Sequence, residues 1–198
     1  MNLPNRITIS RIIISILVLI MMIFPFYQLG IEWPTYLVGG RIEVNLKYII
    51  CGIFFIIASA TDFLDGYLAR KNGQVTDFGK VMDAIADKIL VNGILIVLAV
   101  DGFIPVAIPV IIITRDTFVD SIKMVAGQSG KAVGASLMGK LKTICMMTGV
   151  SFMLIYNLPF ELIGIKVADT LIIIATVLSV VSGVQYYQNN KAALTKQI

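Results

Sequence analysis

Apolar residues fall in six long runs that are separated by short polar segments. The runs cover about residues 7–27, 46–70, 76–100, 104–125, 136–158 and 167–187. Each run reaches roughly the 20 residues that an α-helix needs to cross the hydrocarbon core of a bilayer. The pair Asp101-Gly102 is a turn signal between the third and fourth runs. The pattern predicts an all-α bundle of six transmembrane helices, formed by a single integral-membrane domain over residues 1–198.

The composition supports a membrane protein. Hydrophobic residues make up 58% of the chain and charged residues only 14%, whereas soluble domains carry about 25% charged residues. The chain contains no histidine, which excludes a histidine general base, a histidine metal ligand and a phosphohistidine intermediate. The two cysteines lie in apolar runs, so we expect packed thiols and no disulfide framework.

Basic residues are distributed unevenly between the two sets of connections. If the N-terminus, the second and fourth connections and the C-terminus share one side, that side holds 13 of the 16 basic residues. The other side holds only Arg41, Lys47 and Lys166. The positive-inside rule therefore predicts a multi-pass protein of the cell membrane with both termini in the cytoplasm. We interpret the net charge of +4 as attraction to an anionic leaflet and predict no nucleic-acid partner.

Four aspartates lie at the ends of the second and third runs, and we call Asp62, Asp65, Asp83 and Asp87 the acid cluster. The first two are three residues apart and the last two are four apart, so each pair lies on one helix face. The linker 71–75 is short enough to require an antiparallel hairpin, which brings the two faces together. Asp62 lies 16 residues after Leu46, or roughly 24 Å along a helix, near the cytoplasmic edge of the membrane.

Four carboxylates in one place repel each other unless cations neutralise them. Ligation by carboxylates alone favours Mg²⁺ or Mn²⁺, and two ions would neutralise the cluster best. Because Mg²⁺ commonly binds together with phosphates, we expect a phosphate or pyrophosphate ligand. Salt bridges from Arg70, Lys80 or Lys88 are the alternative, although acids inside a membrane usually serve function. The small residues nearby either leave space for a ligand or allow close helix packing.

The spacing of the acids and small residues resembles the signature of the CDP-alcohol phosphotransferases. It is carried by Asp62-x2-Asp65-Gly66-x2-Ala69-Arg70-x8-Gly79-x3-Asp83-x3-Asp87. Members of this family transfer a phosphatidyl-type group from a CDP-linked donor to an alcohol and release CMP. The resemblance implies that Asp62, Asp65 and Asp83 bind a metal pair, and that Asp87 contributes to it and acts as general base.

The same resemblance implies a nucleotide site and an assembly. The cytidine of CDP-diacylglycerol would occupy space left by Gly66, Ala69 and Gly79. Arg70 would hold the nucleotide, and Asp62 would also bind this donor. A homodimer is the expected assembly.

Other segments bear on the acceptor alcohol. Residues 3–11, 113–116 and 139–143 are similar to the subgroup that makes phosphatidylglycerophosphate. We therefore expect transfer to sn-glycerol 3-phosphate, whose phosphate would be bound by Arg115, Lys140 and Lys142. Arginine suits bidentate phosphate recognition, and the alternative for each residue is a cytoplasmic anchor. Asp116 and Asp120 are expected to pair with nearby bases.

Three alternatives remain at this point. One is the same chemistry with inositol phosphate, serine or phosphatidylglycerol as acceptor. The others are an intramembrane prenyltransferase, which also combines aspartates with magnesium and pyrophosphate, and a transporter that uses buried carboxylates.

Overall fold

The structure is a computed structural model that describes the backbone of residues 3–71, 77–128 and 136–195. Side chains are described within those ranges except at residues 3–6, 63–71, 77–78, 80, 128 and 192–195. In these ranges the chain forms α1 (Leu3–Ile23), β1 (Thr35–Val38), β2 (Ile42–Asn45), α2 (Leu46–Lys71), α3 (Asp77–Val100), α4 (Ala107–Gln128), α5 (Leu137–Leu154) and α6 (Val167–Thr195). Two short 3-10 helices, Phe26–Leu29 and Phe160–Ile163, lie in the connections.

The six apolar runs correspond to the six α-helices, and most of their bounds agree within a few residues. Helix α1 ends at Ile23, before the predicted end at 27, because Pro25 disfavours helical conformation in the residue that precedes it. Helix α5 ends at Leu154, since Tyr156 and Asn157 adopt positive φ angles of 58° and 54°. Both helices therefore end four residues before the predicted ends at 27 and 158.

A two-stranded antiparallel sheet was not predicted. Strands β1 and β2 pair with Val38 opposite Ile42, and the turn between them contains Gly39 and Gly40 at φ 61° and 68°. Consecutive glycines at positive φ suit the tight turn of a β-hairpin. The signal was therefore present in the sequence, and the prediction of an all-α fold holds for the bundle but omits this hairpin.

Helix α1 packs against α2 and α3, and α6 packs against α4 and α5. Contacts of α2 with α5 and of α3 with α4 join the two groups. Phe55, Ile94, Leu98 and Ile172 are fully buried between the helices. A Cβ at Gly149 would lie 2.9 Å from Cγ1 of Ile172, so this glycine allows the close approach of α5 and α6.

The end of the bundle away from the acid cluster is joined by hydrogen bonds. The Tyr48 hydroxyl, near the start of α2, donates to a carboxylate oxygen of Asp101 after α3. The backbone N–H of Asn45 donates to the Tyr156 hydroxyl at 3.1 Å. The buried Asn157 side chain accepts from the Ala168 N–H at 3.1 Å and donates to the Ile165 carbonyl at 2.7 Å. These bonds hold the hairpin, the α3–α4 connection and the α5–α6 connection against the helices.

Many large apolar side chains face outward, including Leu17, Ile57, Val110, Ile173 and Val177. Among the described residues, two helical segments are long and apolar enough to cross a membrane, namely Leu137–Leu154 and Val167–Lys191. The fold is consistent with an all-α membrane protein, and the prediction of six spans stays a prediction.

Candidate active site

The structure brings Asp62 of α2 and Asp83 of α3 together around Arg11 of α1. Nη1 of Arg11 forms an ion pair with Oδ1 of Asp62, and Nη2 forms one with Oδ1 of Asp83. Nη2 also lies 3.3 Å from the backbone oxygen of Asp83. The predicted meeting of the two acidic helix faces is therefore observed for this pair of carboxylates.

Arg11 is a site residue that the sequence analysis did not single out. Its side chain is 2% exposed, whereas those of Asp62 and Asp83 are 33% and 44% exposed. A buried charge is strongly unfavourable without partners of opposite charge, so this arginine and the two carboxylates stabilise each other. A charged residue inside the first apolar run was the available signal.

The base that pairs with these two acids, Arg11, is not among the three that the salt-bridge alternative named. Lys88 instead forms an ion pair with Asp120, which also lies near Lys123. The side chains of Arg70 and Lys80 lie outside the described residues. The predicted pairing of Asp120 with nearby bases is confirmed.

Asp87 lies one helical turn after Asp83, at the wall of a small polar cavity between α3, α4 and α5. Asn92, Asp116, Lys142 and Thr143 also line this cavity. Asp87 is half-buried and lies within electrostatic reach of both Arg11 and Lys142. Its carboxylate therefore lies between the acid pair and the cavity. Asn92 is a further polar residue that the sequence analysis missed, although it interrupts an apolar stretch.

A second set of charges holds Lys142 at the cavity. Its ammonium donates to both carboxylate oxygens of Asp116, at 2.9 and 2.7 Å. Nη1 of Arg115 donates to the same carboxylate at 2.8 Å. The pairing of Asp116 with neighbouring bases, expected from the sequence, is confirmed.

Arg115 is held by helix α6 as well as by Asp116. Its Nε donates to the Ser179 carbonyl at 2.9 Å and its Nη2 to the Ser182 hydroxyl at 2.6 Å. A Cβ at Gly183 would lie 3.1 Å from Cγ of Arg115, so this glycine leaves the space that the arginine stem occupies. In this conformation Arg115 contributes to the cavity through Asp116 rather than by lining it.

The start of α5 determines where its lysines lie. Ser136 caps the helix, with its hydroxyl accepting from the Gly139 N–H at 3.1 Å, while its own N–H donates to the Tyr186 hydroxyl at 3.0 Å. Lys142 follows within two turns and is buried. Lys140 is exposed and is not among the described residues that line the cavity, because residues two apart do not share a helix face.

Several predicted site residues have side chains outside the described part of the chain, namely Asp65, Ala69 and Arg70, together with Gly66. Gly79 is described and lies one turn before Asp83 on α3. Among the described residues, which omit the Asp65 side chain, no group of three or more acids and thiols is close enough to hold a metal ion. The described part of the cluster nevertheless fits a cation, because two carboxylates converge on the guanidinium of Arg11.

Comparison with known proteins gives relatives along nearly the whole chain. A protein from Bacillus subtilis (strain 168), named CDP-diacylglycerol–glycerol-3-phosphate 3-phosphatidyltransferase, is 39% identical over 193 residues, which cover 98% of this chain and 97% of the relative. A protein of the same name from Rickettsia felis is 30% identical over 188 residues, or 94% of each chain.

A solved structure shares the fold. The apo form of phosphatidylinositol phosphate synthase from Mycobacterium tuberculosis superposes with a TM-score of 0.60 and 20% identity, over 96% of this chain and 91% of that one. The sequence model described as CDP-alcohol phosphatidyltransferase matches residues 1–181, which include the entire acid motif. The resemblance drawn from that motif is thereby confirmed, and the chain belongs to the CDP-alcohol phosphatidyltransferase family.

Proposed function

We propose that this chain transfers the phosphatidyl group of CDP-diacylglycerol to sn-glycerol 3-phosphate, giving phosphatidylglycerophosphate and CMP. The observation that carries this proposal is the position of Asp87 between the acid pair and the cavity that Lys142 lines. The printed name of the relatives that match nearly the full chain supports the choice of donor and acceptor. The prenyltransferase and transporter alternatives receive no support from these comparisons.

Asp62, Asp65, Asp83 and Asp87 would hold divalent cations, with two Mg²⁺ ions as the first choice and Mn²⁺ as the alternative. The carboxylate oxygens of the described members suit a hard cation. When bound, such ions neutralise the charge of a pyrophosphate and of the departing CMP. On the family motif, Asp62, Gly66, Ala69, Arg70 and Gly79 would bind the CDP-diacylglycerol head group.

Asp87 is the proposed general base. It would take the proton from the 1-hydroxyl of the acceptor, whose oxygen then forms a bond to the β-phosphorus of CDP-diacylglycerol. The bond between that phosphorus and the oxygen of CMP breaks, and CMP leaves with the electron pair. Phosphoryl transfer of this kind depends mainly on positioning and on electrostatic stabilisation, which the charges around Asp87 supply.

The phosphate of the acceptor would bind at the cavity lined by Lys142. Its ammonium is held by Asp116, and Arg115 also donates to that carboxylate. Lys88 also lines the cavity. Lys140 would act at the entrance, where its exposed ammonium can attract an anion from solution. Asn92 offers a neutral amide for the acceptor hydroxyl that does not react.

All six helices would span the cell membrane with both termini and the active site on the cytoplasmic side. The distribution of basic residues supports this orientation. So does the arrangement of the bundle, in which Arg11, Asp62, Asp83 and Lys142 lie at one end and the hairpin lies at the other. Family resemblance supports a homodimer.

An acceptor panel tests the proposal. Purified protein receives CDP-diacylglycerol, Mg²⁺ and either sn-glycerol 3-phosphate, inositol phosphate, serine or phosphatidylglycerol, and CMP release is followed. The proposal predicts the highest kcat/KM with sn-glycerol 3-phosphate. A preference for inositol phosphate would overturn the acceptor, and no CMP release with any acceptor would overturn the reaction.

A further inference from the structure

Arg11 occupies an unusual position next to the acid cluster. It is a cation that comes from a third helix and lies beneath the two carboxylates, with 2% of its side chain exposed. The carboxylates themselves are open, at 33% and 44% exposure. A cation that arrives from solution therefore meets the carboxylates on their open side, while Arg11 holds them from the buried side.

The guanidinium and a divalent cation would bind the same two carboxylates. Both Asp62 and Asp83 direct Oδ1 at Arg11, and both are proposed metal ligands. Without any cation the two carboxylates would repel each other, and without the carboxylates the buried guanidinium would be uncompensated. The guanidinium and a bound metal would each neutralise the same pair of acids.

In the described part of the chain, Arg11 has different partners from Arg115, the half-buried arginine of the cavity. Its Nε is buried and has no hydrogen-bond acceptor in the described part of the chain. By contrast, Nε, Nη1 and Nη2 of Arg115 each have an acceptor. Among the described residues, the partners of Arg11 are thus mainly the two carboxylates, whereas those of Arg115 include two groups of α6.

We propose that Arg11 is the internal counter-ion of the acid cluster, which holds Asp62 and Asp83 together when no divalent cation is bound and competes with that cation for them. This inference rests on the proposed metal binding. Metal binding displaces the guanidinium from at least one of the two carboxylates. Arg11 is thus a positioning residue that determines metal affinity.

Metal affinity without substrate is the first test. The full chain in detergent is titrated with Mn²⁺, and free Mn²⁺ is measured by electron paramagnetic resonance. Arg11→Gln removes the competing charge, so we expect Mn²⁺ to bind about tenfold more tightly. Arg41→Gln is the matched control, because Arg41 is exposed on the hairpin at the other end of the bundle, and its Kd should equal that of the wild type. Unchanged or weaker binding by Arg11→Gln would overturn the proposal.

Thermal stability distinguishes competition from simple packing. In EDTA, Arg11→Gln should lower the unfolding midpoint by about 5 °C, since two carboxylates lose their counter-ion. Saturating Mg²⁺ should restore most of that loss. An equal loss in EDTA and in Mg²⁺ would mean that Arg11 only packs the helices, and would overturn the proposal.

Arg11→Lys keeps the positive charge and protects the test against a variant that does not fold. One ammonium cannot bridge two carboxylates as a guanidinium does, so we expect Mn²⁺ affinity between those of the wild type and Arg11→Gln. Wild-type values in both assays would count against the inference. If the wild type itself binds no Mn²⁺, the proposed metal function fails; if it binds Mn²⁺ and Arg11→Gln binds no more tightly, only the role of Arg11 fails.

Discussion

Two clusters of charged side chains flank Asp87, and they differ in what holds the arginine of each. The Arg11 cluster contains Asp62 and Asp83, and the Arg115 cluster contains Asp116 and Lys142. Arg115 has an acceptor for each kind of guanidinium nitrogen, two of them supplied by α6. Arg11 forms ion pairs through its two terminal nitrogens with carboxylates that are themselves proposed ligands. An arginine held by a neighbouring helix serves as a fixed part of the architecture, whereas an arginine paired with proposed ligand residues can exchange partners.

This difference indicates that the two clusters have different roles in the site. The Arg115 cluster fixes Asp116 and through it the ammonium of Lys142 at the cavity. In the proposal above, the Arg11 cluster holds Asp62 and Asp83 together until a divalent cation binds. Asp87 lies where both clusters act on it, so its substitution should have the largest effect.

Asp87→Asn removes the proposed base and keeps the shape of the side chain. CMP release should fall about 10²- to 10⁴-fold, the range that a general base contributes. Donor binding, measured by titration with CDP-diacylglycerol, should change far less. Full activity of this variant would remove Asp87 from the role of base.

Lys142→Gln separates acceptor binding from the chemical step. The KM for sn-glycerol 3-phosphate should rise about 10- to 100-fold, because a hydrogen bond to a charged group contributes about 1.5–3 kcal/mol, while kcat changes less. Lys123→Gln removes an equal charge from an exposed position on α4 and should leave KM within about twofold. An unchanged KM in Lys142→Gln would contradict the acceptor site proposed here.

Arg115→Lys tests whether the Arg115 cluster stabilises the fold independently of metal. Lysine cannot reach Asp116, the Ser179 carbonyl and the Ser182 hydroxyl together, so the free energy of unfolding should fall by about 1–3 kcal/mol. The loss should be the same in EDTA and in Mg²⁺, unlike the loss in Arg11→Gln. A loss that Mg²⁺ reverses would erase the distinction between the two arginines.

Gly183→Ala should have the smallest effect. The added Cβ would lie 3.1 Å from Cγ of Arg115, and this crowding offsets the gain in helix propensity. Gly127 on α4 has no atom within 4 Å of such a Cβ, so Gly127→Ala should raise stability by up to about 1 kcal/mol. Thermal unfolding of both variants gives the comparison, and equal stabilisation would mean that Gly183 leaves no required space for Arg115.

The sequence predicted the helices and the convergence of the acids because both follow from periodicity and from short connections. It also predicted that Asp116 and Asp120 pair with bases. Arg11 was placed among the basic residues of one side and in the similar segment 3–11, but not at the acids, because a linear pattern does not state which helices α1 packs against. Helical periodicity could have predicted that Lys140 and Lys142 lie on different faces of α5. The rules for β-hairpin turns could have predicted the turn at Gly39-Gly40. Two acceptors of Arg115 belong to α6, whose serines carry no recognisable motif.

The most direct test of the account is the lipid that the purified chain makes from CDP-diacylglycerol and sn-glycerol 3-phosphate, identified by mass spectrometry and compared with the amount of CMP. The account predicts phosphatidylglycerophosphate in equal amount to CMP. Release of CMP with phosphatidic acid as the lipid product, or no lipid product at all, would contradict it.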